Sequence, residues 1–72
     1  GGAEEAAYAF AEELARGGLP AGAILQVFRD PEFRGPFAAQ SELGEARIAA
    51  IVRECTGVYQ ACRAAARQHA AT

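Results

Sequence analysis

The chain has no Lys, no Met and no Trp, a single His, two Cys and six aromatic residues in 72. Two of these shortages bear directly on function. One His leaves no second imidazole for the usual hydrolytic or metal constellations. Without Lys, all seven basic side chains are Arg against nine acids, for a net charge of −2. That balance weakens the phosphate attraction on which nucleic-acid affinity rests. No apolar run approaches the roughly 18–20 residues that cross a bilayer, and no signal-peptide pattern is present. No membrane association is therefore expected, and a cytoplasmic location is. The Gly17-Gly18 pair follows a helical pattern, which is the wrong context for a dinucleotide turn. The acids stand as neighbours (Glu4/Glu5, Glu12/Glu13), pointing about 100° apart on a helix, so they form no convergent carboxylate pair. No catalytic centre, cofactor or metal site is expected.

Arg and Ala without Lys is the composition of a GC-rich genome. The lack of Met leads us to expect a segment of a longer product or a chain that has lost its first residue. Seventy-two residues make one helical domain, 1–72. Half of the residues are hydrophobic, but nineteen of them are Ala, which buries little surface. The bulky set is ten aliphatics and six aromatics. A core that small stabilises a chain of this length only marginally, and a partner surface would help.

The periodicity is helical throughout. Ala3 to Arg16 reads as a first helix with a stripe of Ala3, Ala7, Phe10 and Leu14, flanked by Tyr8, Ala11 and Ala15. Gly17-Gly18 stops it, because Gly takes the left-handed C′ position freely. Leu19-Pro20 opens a short second helix to Arg29 that buries Ile24, Leu25 and Phe28, with Pro at its first position. Asp30-Pro31-Glu32 ends it and suits a new turn, with Asp as its N-cap. Phe33 and Phe37 bracket Gly35-Pro36, so residues 31–40 read as a helical turn and a bend anchored by two aromatics.

The last thirty residues, Ser41 to Ala70, read as one long amphipathic helix. Ile48, Cys55, Cys62 and His69 fall seven apart, and Ile51/Val58 and Val52/Tyr59 continue the stripe. Arg53 and Arg67 lie opposite. A helix of about 28 residues there would be about 42 Å long at 1.5 Å per residue. A compact domain of this size is only roughly 28 Å across. The helix therefore breaks near Thr56-Gly57 or overhangs and needs a partner. A second band of small residues (Ala46, Ala50, Gly57, Ala61, Ala64) runs beside the stripe, either a plain Ala-rich surface or a groove for another helix.

Cys55 and Cys62 lie about 10.5 Å apart by rise on a continuous helix, beyond the roughly 7 Å that a disulfide spans. They read as reduced core thiols, with a cross-chain disulfide on a two-fold axis as the alternative. His69 reads as an exposed terminal side chain.

The expected fold is all-α, a small bundle of three to four helices built on a long C-terminal helix. Phe28, Phe33 and Phe37 would pack on its Ile48/Val52/Tyr59 face. The expected function is a non-catalytic protein-interaction or oligomerisation module, a homodimer or an adaptor for a protein partner. Its contact residues would be Ile51, Val58, Tyr59 and Cys62, with Arg53 and Arg67 as rim charges. Two alternatives stand: a DNA-binding regulator with its turn near Gly44 and Arg47 and Arg53 facing DNA, or an accessory subunit of an enzyme complex.

Overall fold

The computed structural model describes residues 2–57, and four helices run through them. Helix α1 is Gly2–Arg16, α2 is Ala21–Arg29 and α3 is Arg34–Leu43; α4 occupies 45–57. The small all-α bundle expected from periodicity is what forms.

The stop after α1 is a Schellman motif. Gly18 sits at φ 98°. Its N–H donates to Ala15 O at 3.0 Å, and the Leu19 N–H donates to Leu14 O at 3.2 Å. These are the two bonds of that motif, and they satisfy carbonyls the helix end leaves orphaned. Leu14 and Leu19, the pair that the motif brings together, both pack against the core.

Pro20 is the N-cap of α2, one place earlier than its expected first helical position, with φ −72° and ψ 163°. Its carbonyl accepts the Ile24 N–H at 3.1 Å. Asp30 ends α2 and also caps the next turn. Its Oδ1 accepts the Glu32 N–H at 2.9 Å, the bond an N-cap makes to the second residue of a turn.

The expected turn forms over 31–33, but from Arg34 onward the chain departs from expectation. A full helix, α3, takes the place of the bend and takes in Ser41, Glu42 and Leu43. Gly35 and Pro36 fall in its first turn. Pro is tolerated there because the first N–H groups of a helix have no internal acceptor. Pro36 and Ala39 form the buried edge of α3, while Phe33 and Phe37 remain exposed. The expectation that both phenylalanines anchor the core is therefore corrected: Phe33 is the N-cap residue of α3, and Phe37 lies on another side of the helix from Pro36 and Ala39.

Ser41 is not an N-cap, and the last helix begins at 45 rather than 41. The joint is Gly44 alone. Its N–H donates to Gln40 O at 2.8 Å, closing α3, and its carbonyl accepts the Ile48 N–H at 3.1 Å, opening α4. It does both at φ 89° and ψ 158°, a region open essentially to glycine alone. Gly57, the expected weak point, is helical; the remainder of the expected long helix lies outside the described residues.

The core is small. Its largest fully buried side chains are Phe28, Ile24, Ile48, Ile51 and Val52. Cys55 and Ala39 are also buried. Ile48, Ile51, Val52 and Cys55 are buried at the i, i+3, i+4, i+7 register that their spacing implies. On α1 the buried ridge is Ala7, Ala11 and Ala15, whereas Phe10 is 36% exposed. The stripe expected through Phe10 is thus rotated onto its alanine flank. Three alanines four apart let α1 approach its neighbours closely, so Ala contributes here by shape rather than by area. Thr56 is buried with its hydroxyl satisfied, Oγ1 donating to Val52 O at 2.9 Å.

Two stability predictions follow from this packing. Gly44→Ala should cost about 1–3 kcal/mol in urea unfolding. A Cβ there would meet nothing within 4 Å, so the loss is wholly conformational. Ala11→Leu, harmless to helix propensity, should destabilise by about 1–3 kcal/mol through overpacking. An unchanged unfolding midpoint in both variants would contradict these roles.

Candidate interaction surface

Three side-chain pairs among the described residues link one helix to another. Glu4 and Tyr8 are four apart on α1, and Arg47 and Glu54 are seven apart on α4, so each pair shares one helical face. Arg47 Nη2 meets Glu4 Oε1 at 2.6 Å. The Tyr8 hydroxyl donates to Glu54 Oε2 at 2.8 Å. A third pair, Arg29 Nε to Glu45 Oε1 at 2.9 Å, joins the end of α2 to the start of α4. It suits both helix dipoles, with a cation at a C-terminus and an acid at an N-terminus. The Arg29–Glu45 and Tyr8–Glu54 contacts are exposed and Arg47–Glu4 is part-buried, so they orient helices more than they stabilise them.

The hydrogen bond to Glu54 raises the Tyr8 phenol above its ordinary 10.0; burial and the Glu54 charge add to this. Arg47 is held above its ordinary value by its hydrogen bond to Glu4 and by that carboxylate's charge. Cys55 is 5% exposed. Burial pushes its thiol upward, with Glu12 and Glu54 adding to the effect. A raised pKa leaves it a protonated, weakly nucleophilic core group, as the core-thiol reading expected, and it is a free thiol. Cys62 lies outside the described residues.

Among the described residues no three His, Cys, Asp or Glu side chains are placed to hold a metal ion. No described helix is long and apolar enough to cross a membrane. What the surface does offer is apolar area. Phe33 is 49% exposed, Phe37 37% and Phe10 36%. Phe33 and Phe37 stand one helical turn apart at the start of α3. Phe10 lies over Gly35 across the α1–α3 contact: a Cβ on Gly35 would come within 2.5 Å of the Phe10 ring tip.

The residues expected to contact a partner fare unequally. Ile51 is fully buried and has no surface to present while the domain stays folded. Arg53 is exposed, its Nε reaching Ala49 O at 3.5 Å. Val58, Tyr59, Cys62 and Arg67 lie outside the described residues, as does His69. In the small-residue band, Ala46 and Gly57 are exposed and Ala50 is partly buried.

The turn of the DNA-reading alternative falls at the joint between α3 and α4. A helix-turn-helix joins its helices by three or four residues, but here Gly44 alone separates α3 from α4. Arg47 is engaged by Glu4, and Glu45 by Arg29. Spacing alone did not disclose that Phe33 and Phe37 face outward. Their four-residue interval was visible, but the side of α3 on which the core lies was not. Comparison of the chain with protein-family models, with curated proteins and with solved structures returns no match.

The Tyr8–Glu54 contact has a pH signature. A phenol raised on folding contributes stability that is complete below its unfolded pKa of about 10 and is lost as pH climbs through the folded value. Thermal unfolding of the chain should therefore shift downward more steeply above pH 10 than that of the Tyr8→Phe variant. Parallel profiles for the two proteins would show that the contact carries no such linkage.

Proposed function

We propose that this domain is a non-catalytic protein-interaction module, and that its partner is a protein surface rather than a nucleic acid or a small substrate. The observation that carries the reading is the distribution of bulky apolar residues. The interior is built on one Phe, four β-branched aliphatics and several alanines, while three of the four phenylalanines stay exposed. Exposed aromatic side chains on a domain of this size are a ready source of association energy.

Two regions provide contacts on this reading. One is the exposed side of α3 with Phe33 and Phe37. The other is the C-terminal segment, whose sequence continues the apolar register of α4 through Val58, Tyr59 and Cys62, with Arg53 and Arg67 as flanking charges. Ile51 is withdrawn from that set because it belongs to the core. Self-association and service as an accessory subunit of a larger complex are both forms of this role.

Light scattering over a wide concentration range tests it. The expected result is a mass that rises with concentration, or a stable complex with a protein from the native host. Tyr59→Ala should weaken association through the C-terminal segment while leaving the helical circular dichroism unchanged. A chain that stays monomeric at millimolar concentration and captures no host protein would contradict the reading.

A further inference from the structure

Helix α3 carries its charges the wrong way round for its own stability. A helix favours acids in its first turn and bases in its last, because the peptide dipoles leave positive potential at the N-terminus and negative at the C-terminus. Helix α1 obeys, with Glu4 and Glu5 at its start and Arg16 at its end. Helix α2 ends on Arg29. Helix α3 has no acid in its first turn and no base in its last. Arg34 is instead its first residue and Glu42 its last but one. Neither forms an ion pair among the described residues; the pairs there are those of Arg16, Arg29 and Arg47. A local rule broken without a partner among the described residues points to a partner outside the domain.

The spacing says which partner. Arg34 and Glu42 are eight residues apart, about 12 Å along the axis and roughly 80° around it. Ala38 is midway, four residues from each, and lies between them on the wheel. All three are exposed, as is Ser41. Phe37 stands on one border of this face, 37% exposed. Phe10, resting over Gly35, stands on the other. The face is thus positive at one end, negative at the other, small in the middle and aromatic at its margins. Turned end for end, it is its own complement.

We propose that the exposed face of α3 pairs antiparallel with the same face of a second copy of this chain, about a two-fold axis at Ala38. This rests on the interaction-module reading and names its partner. In that arrangement each Arg34 meets the Glu42 of the other copy, and both pairs form at once, as an isologous contact requires. Ala38 allows the two backbones to approach to the short end of the 8–10 Å helix-packing range. The antiparallel helix dipoles attract, and each charge now sits against the opposite end of the neighbouring helix. Phe37 and Phe10 lose water at the margins. A helix of ten residues is only about 15 Å long, so the buried area falls below the roughly 1,200 Å² of a standard stable interface. The dimer is therefore weak, dissociating in the micromolar range or above.

Charge exchange tests this directly, read by sedimentation equilibrium. Arg34→Glu alone sets carboxylate against carboxylate at both ends of the contact, and Glu42→Arg alone sets guanidinium against guanidinium. Each should weaken self-association about tenfold or more. The double variant R34E/E42R should restore it, and so should an equimolar mixture of the two single variants, as a heterodimer. Both changes bring α3 into agreement with its own dipole, so weaker association cannot be ascribed to a weakened helix; circular dichroism checks that point. Association left unchanged by the single variants, or weakened but not restored in the mixture, overturns the α3 pairing. If Tyr59→Ala abolishes association while the charge variants are inert, the α3 pairing fails and the interaction-module reading stands. A wild-type chain that is monomeric throughout overturns the pairing as well.

Discussion

The change of direction at Gly44 is the constraint on which the rest of the structure depends. One residue must end a helix, start another and swing the chain between them. It does so only because its φ of 89° is open to glycine. From that joint α4 delivers Ile48, Ile51, Val52 and Cys55 to the interior at the register set by its first residue. A different joint would rotate that stripe away from Phe28 and Ile24. The same joint places α3 across α1 and α2, where Pro36 and Ala39 face inward, and so determines which side of α3 is left for water.

The interior that results is economical. Alanines at 7, 11 and 15 bring α1 in close, so a handful of larger side chains is enough to fill the space. The polar contacts between Glu4 and Arg47, Tyr8 and Glu54, and Arg29 and Glu45 set the angles between helices at the rim of this core. Filling so little volume leaves bulky residues outside. The exposed phenylalanines and the inverted charges of α3 belong to that remainder. They are the surface features from which the proposed association is argued.

Much of the fold was legible in the chain. The stop at Gly17-Gly18 follows from local backbone preferences that tertiary context did not override. So do the span of α2 and the capping role of Asp30. The buried register of α4 was visible because large aliphatics repeat at helical spacing. Helix α3 was hidden by its own composition. Gly35-Pro36 reads as a breaker, but in a first turn Pro removes no hydrogen bond that would have formed. Ser41-Glu42 resembles a helix start, and only the backbone angle of Gly44 settles that the start comes later. The alanine ridge of α1 was undervalued because hydrophobic strength is a poor guide to how closely two helices approach. The surface was the least legible part: Ile51 looked like a contact residue and lies inside, whereas Phe33 and Phe37 looked like core and lie outside. Both errors arise from knowing the periodicity of a helix without knowing where its neighbours stand.

The central claim is that apolar and charged surface left over from a minimal core is where this chain meets a second copy of itself. Amide chemical shifts recorded from micromolar to millimolar concentration test it most directly. The account predicts shifts that move with concentration for residues 34–42, centred on Ala38, while those of the buried Ile24 and Ile48 stay fixed. Spectra that superimpose across the whole range would contradict it.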